Sequence, residues 1–139
     1  MKLPPFDLLG LDHLVLRVRD EERMLDFYSR VLGCREERRL PELGLVQLRA
    51  GRALIDFVRV DGPLGRAGGA AAGVEARNVD HFCLRIEPFD RDALQDHLLA
   101  NGVPAGTVET RYGADGYGPS LYLQDPEGNT VELKGPPSA

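Results

Sequence analysis

The sequence predicts an α+β fold of two tandem βαβββ modules forming a cup-shaped mixed sheet around a metal site, and two repeats carry that reading. The strand Asp12-His13-Leu14-Val15-Leu16-Arg17-Val18 is written again as Asp80-His81-Phe82-Cys83-Leu84-Arg85-Ile86, 68 positions later (81 − 13). The closing strand of each copy recurs as well: Ala53-Leu54-Ile55-Asp56-Phe57-Val58 and Asn129-Thr130-Val131-Glu132-Leu133-Lys134 each set a carboxylate between two apolar residues. Two copies of one supersecondary unit can share a buried hydrophobic face. At 139 residues the chain has the length of one domain, 1–139, with modules at about 9–60 and 78–135.

The first module opens on a strand over 11–18. Asp20 then offers an N-cap, and Met24, Leu25, Phe27, Tyr28, Val31 and Leu32 recur at helical spacing until Gly33 ends the helix. That period makes Phe27-Tyr28 part of the core stripe rather than an aromatic box. Strands near 35–40, 44–50 and 52–60 complete the module. The stretch 61–77, with Gly68-Gly69-Ala70-Ala71-Ala72-Gly73, reads as a flexible connector. The second module has a strand at 79–86, a helix from Asp90 to Asn101-Gly102, and strands near 104–110, 119–125 and 129–135. Asp56 and Glu132 lie 76 positions apart (132 − 56), so the second copy needs an insertion, which the glycine-rich stretch Arg111 to Gly118 can supply as a loop.

Side chains alternate between the faces of a strand, so Asp56 and Glu132 point away from the face that their apolar neighbours bury. If that other face is concave, His13, Asp56, His81 and Glu132 converge. Two imidazoles and two carboxylates suit one divalent ion, Ni, Zn, Mn or Fe(II), with open positions for water or substrate. Alternation also places Arg17 on the face of His13. The remaining histidine, His97, reads as a satisfied residue on the surface of a helix, outside the strand set. Arg85 reads as a sheet-surface charge whose stem lies over apolar neighbours.

A net charge of −5, without a basic stripe, argues against a nucleic-acid partner. No apolar run approaches a membrane span, and the first residues carry no long apolar core or small-residue cleavage site. Cys34 and Cys83 form no CxxC pair and read as reduced thiols. These features lead us to expect a cytoplasmic protein.

The Asp-His-hydrophobic strands, the helix end Phe27-Tyr28-Ser29-Arg30-Val31-Leu32-Gly33, and Asp125-Pro126-Glu127-Gly128-Asn129 followed by Glu132 together resemble the vicinal oxygen chelate superfamily of glyoxalases, fosfomycin- and bleomycin-resistance proteins and extradiol dioxygenases. The likeness covers nearly the whole chain and is similar to the small single-domain glyoxalase-like proteins. It implies metal ligands at His13, His81 and Glu132, with Asp56 at a place where glyoxalase I has a glutamate ligand. It implies substrate contacts at Arg17, Arg77, Arg111, Ser120 and Tyr122, and glutathione as a co-substrate. The asparagine of glyoxalase I four residues after its first acidic ligand is replaced here by Val60.

The expected activity is a metal-dependent lyase or isomerase on a small, vicinally oxygenated substrate, with Glu132 as general base. An Fe(II) extradiol dioxygenase, a Mn-dependent thiol transferase and a non-enzymatic bleomycin-sequestering module are the alternatives. A homodimer is expected, with the modules pairing either within a chain or across two.

Overall fold

The computed structural model describes residues 2–138. The first module runs β1 (His13–Val18), α1 (Glu21–Arg30), β2 (Arg35–Leu40), β3 (Leu45–Ala50) and β4 (Ala53–Arg59). The second runs β5 (Phe82–Arg85), α2 (Arg91–Ala100), β6 (Glu109–Gly113), β7 (Gly116–Gln124) and β8 (Thr130–Lys134). A single 3-10 turn, Gly65–Gly68, punctuates the connector between them.

Each module makes its own four-stranded mixed sheet, in the orders β1-β4-β3-β2 and β5-β8-β7-β6. In both, the first strand lies parallel to the last, and the remaining pairs are antiparallel. The register repeats with the sequence. Val15 pairs with Asp56 and Cys83 with Glu132, so each histidine sits two residues before the partner of its acid.

The helices start where their caps dictate. Asp20 accepts from the Arg23 amide and Asp90 from the Ala93 amide, each at 3.1 Å. Gly33, at φ +78°, turns the chain out of α1 where a side chain would be strained. β2 is nearly all charge, Arg35-Glu36-Glu37-Arg38-Arg39-Leu40, and breaks register between Glu36 and Arg38. It forms the outer edge of its sheet, where charges and bulges discourage further pairing.

One core serves both modules. Leu16, Val18, Met24, Tyr28, Val46, Leu48, Ile55 and Phe57 cluster with Leu98, Leu121, Leu123, Val131 and Leu133. These strand residues all alternate against His13, Asp56, His81 and Glu132. The two sheets therefore turn their apolar faces to the shared core and their histidine-bearing faces away from it.

Two expectations need correction. The single cup-shaped sheet is instead two separate sheets, with β1 and β5 each an open edge among the described residues. The glycine-rich insertion is a hairpin rather than a loop. β6 begins at Glu109 rather than 104, and β7 begins at Gly116 rather than 119. Tyr112 and Tyr117 face each other across it with ring centroids 5.0 Å apart. The glycines masked this from composition, yet aromatic pairs stabilise strands and Gly116, at φ +108°, accommodates the turn. Of the strand expected from 104, only an isolated bridge from Ala105 to Leu123 remains before β6.

Candidate functional site

The second module holds the more complete half-site. Nδ1 of His81 lies 2.6 Å from Asp80, whose carboxylate accepts its proton and leaves the Nε2 lone pair free. That Nε2 lies 3.4 Å from Oε1 of the buried Glu132. Asp80 is held below the usual carboxylate range first by the His81 hydrogen bond, with a smaller pull from Arg77. Tyr122, in register with Glu132, stands edge-on to the His81 ring at 5.4 Å. The Arg111 guanidinium covers the Tyr122 ring at 4.5 Å and donates to Ser120 Oγ at 2.7 Å. Burial, and then the negative charge of Glu132, raise the Tyr122 phenol. A cavity of about 310 Å³ opens beside His81 and Glu132, walled also by Cys83, Lys134 and the β6–β7 hairpin, and Arg111, Ser120 and Tyr122 lie outside its lining.

The first module repeats the pattern with fewer partners. Nδ1 of His13 lies 2.7 Å from Asp12, again directing Nε2 away from that carboxylate. The Asp12 hydrogen bond, followed by the charge of Asp56, raises the pKa of His13. Asp56 is buried, and Oδ2 accepts from Gln47 Nε2 at 3.0 Å. Arg38 Nε donates to Gln47 Oε1 at 2.8 Å, fixing which end of that amide faces the acid. Asp56 Oδ1 is buried with no hydrogen-bond partner among the described residues. An unpaired buried carboxylate oxygen is costly, and a cation is the partner that suits it best. The donor set thus fits a divalent ion, in two halves.

The structure brings His81 and Glu132 together, and sets His13 and Asp56 on the other sheet. Among the described residues no three His, Cys, Asp or Glu side chains are grouped so as to hold one ion. Arg111, Ser120 and Tyr122 gather beside Glu132, as expected for neighbours in the β6–β7–β8 register.

Arg17 is placed otherwise. Its guanidinium donates to the carbonyls of Gly65, Gly69 and Ala70, tying the connector to β1 rather than facing a ligand. A Cβ on Gly68 would come within 2.4 Å of Arg17 Nε, so a glycine belongs there. His97 Nε2 bonds the Val31 carbonyl at 2.8 Å and joins α2 to the end of α1.

Sequence reasoning missed several residues. Asn78 accepts from the Arg17 amide and donates to the Arg17 carbonyl and to Asn129. Asp125 accepts from Tyr28, Glu127 and Asn129. Glu127 accepts from the amides of Arg19 and Asp20 at the head of α1. The Asp125–Asn129 segment, read as a family signature, is thus a staple between the modules. Its repeated acids and amides were the available signal.

Comparison with known proteins agrees with this architecture. A Mycosarcoma maydis protein called glyoxalase domain-containing protein RDO1 is 33% identical over 129 residues, or 89% of this chain, and the chain spans 66% of that relative's length. The integron cassette protein VCH_CASS1, from the mobile metagenome of V. Cholerae, superposes with a TM-score of 0.75 at 26% identity, covering 94% of this chain and 97% of that one. A lactoylglutathione lyase from Agrobacterium tumefaciens shares the fold with a TM-score of 0.63 at 22% identity, covering 92% of this chain and 94% of that one. The model of the Glyoxalase/Bleomycin resistance protein/Dioxygenase superfamily matches residues 10–133. The chain belongs to that superfamily, the vicinal oxygen chelate group that its two repeated strands resemble.

Proposed function

We propose that two copies of this chain bind divalent metal ions between them and act as a glyoxalase-like lyase or isomerase on a small, vicinally oxygenated substrate. The observation that carries this reading is the division of the donor set. His13 and the orphaned Asp56 Oδ1 lie on one outward sheet face, while His81 and Glu132 lie on another. A two-fold axis would bring the first pair of one copy to the second pair of the other, twice per dimer. Neither β1 nor β5 pairs with a strand on its outer side, although Asn78 caps β1 at Arg17, and the two sheets would join along those edges into one cup.

A bound divalent ion would supply a Lewis acid for two neighbouring substrate oxygens. Glu132 takes a proton from the carbon next to a bound carbonyl, because its carboxylate sits beside His81 and borders the cavity. The Tyr122 phenol stays protonated and orients the substrate as a donor. Arg111 fixes Tyr122 by stacking over it and Ser120 by hydrogen bonding. Asp80 and Asp12 hold the two imidazoles in the tautomer that presents Nε2. Arg77, near Asp80, remains the candidate contact for a carboxylate of a glutathione co-substrate. Arg17 is not assigned that role, since its donors already serve the connector.

The test is metal content, measured by elemental analysis on protein purified without chelator. About one equivalent per chain is expected. Loss in His13→Ala and in His81→Ala, with metal retained but turnover lost in Glu132→Gln, would support the reading. Absence of metal after reconstitution with Ni, Zn, Mn and Fe(II) in turn would leave a ligand-binding module instead.

A further inference from the structure

The cavity beside His81 contains a cation that the proposed chemistry does not use. Lys134 closes β8, is 5% exposed, and lies two residues beyond Glu132 on the same strand face. Its register partners are Arg85 and Ser120. Among the described residues its ammonium makes no ion pair and no hydrogen bond. Of the carboxylates that border the cavity, Asp115 pairs with Arg85 at 3.1 Å, and Glu132 turns to the metal-binding edge beside His81.

Space is kept for this side chain. A Cβ on Gly113 would meet Lys134 Cε at 2.7 Å, and one on Gly118 would meet Nζ at 3.0 Å. The stem thus lies over the two glycines of the β6–β7 hairpin, and the residue borders the cavity of about 310 Å³. A lysine that only packs its stem sends its ammonium to bulk water. Here the stem is covered and the ammonium is within 4 Å of no carboxylate among the described residues, so an anion in the cavity is the partner that suits it.

We propose that Lys134 binds a carboxylate of the substrate, so that the molecule handled at Glu132 is a small oxygenated acid. The carboxylate end meets Lys134, and the two neighbouring oxygens meet the metal-binding edge, about 6–7 Å back along β8. The cavity volume lies at the small end of the range for ligand sites, which suits such a molecule. Arg85 is not the anion site, because Asp115 and Glu87 already occupy its guanidinium. This assignment rests on the metal-centred reading for the position of the chelated oxygens, and adds the charged group that selects the substrate.

The test is calorimetric titration of the full chain, zinc-loaded and metal-free, with two hydroxamates. Acetohydroxamate offers only the vicinal oxygens, whereas succinohydroxamate adds a carboxylate. Loaded protein is expected to prefer succinohydroxamate by about tenfold, the scale of a charge-assisted hydrogen bond. Lys134→Met, of similar length without the charge, should erase the preference and leave acetohydroxamate affinity unchanged. Lys134→Arg should keep it. Gly113→Ala, which displaces the stem, should weaken it without altering the charge; together with Lys134→Gln it decides the matter if Lys134→Met does not fold. A preference that survives Lys134→Met, or equal loss of both ligands, overturns the proposal. Binding indifferent to zinc overturns the metal reading instead, and the loss of succinohydroxamate in Lys134→Met still decides for Lys134. Failure of both ligands to bind sinks both.

Discussion

Tyr28 donates its phenolic hydrogen to Asp125 Oδ2 at 2.7 Å, joining a helix of the first module to the turn before the last strand of the second. Both groups are buried, and the tyrosine ring also packs edge-on against Phe57 at 5.1 Å. Burial, followed by the charge of Asp125, drives the Tyr28 phenol well above its ordinary range, so it remains a donor at any working pH. Tyr28→Phe keeps the ring and removes the donor. It should cost about 1–3 kcal/mol, read as a lower urea midpoint with unchanged m-value.

Arg17 holds the connector through the Gly65, Gly69 and Ala70 carbonyls. Arg17→Ala should release that segment while leaving the core intact. Limited proteolysis should then cut between residues 65 and 77 many times faster than in the parent. Unchanged cutting would show that the clamp carries no stability.

Asp56 illustrates a site kept at the expense of the fold. With one oxygen orphaned and buried, it should destabilise the metal-free protein. Asp56→Leu, beside Val15 and Gln47 on the outward face, should raise metal-free stability by about 1 kcal/mol while abolishing the added stability from zinc. Thermal melts with and without metal read both effects.

Cys34 gives a pH-dependent check. Burial alone raises its thiol from 9.0 to about 11. The unfolded chain therefore ionises first as pH rises. The contribution of this group to stability is complete below pH 9.0 and fades as pH rises through about 11. Alkylation of Cys34 should be slow at pH 8 and accelerate only near pH 11. Rapid reaction at neutral pH would contradict its burial.

The fold was legible because duplication wrote it twice. The strand that begins at His13, the caps Asp20 and Asp90, and the alternation around Asp56 and Glu132 all reappear as structure, whereas the strand expected over 79–86 shortens to Phe82–Arg85 and leaves Asp80 and His81 just ahead of it. Composition failed at Arg111 to Gly118, where glycine content concealed paired tyrosines across a hairpin. Gln47, Arg38 and Asn78 became visible only through cross-strand register, which depends on how hairpins close. Lys134 was hidden for the same reason, since only folding sets its stem against Gly113 and Gly118. The division of the four candidate ligands between two outward faces depends on how the sheets share their core, and local sequence does not specify that.

The most direct test of the central claim is complementation between two defective chains. His13→Ala and His81→Ala, differently tagged, are co-expressed, and the mixed dimer is isolated with both tags for metal analysis. Each variant alone should bind no metal. If sites are shared between copies, the mixed dimer has one site with both histidines and one with neither, so it should hold one ion per dimer. No ion in the mixed dimer, alongside full occupancy of the parent, would place each site within a single chain and contradict the account.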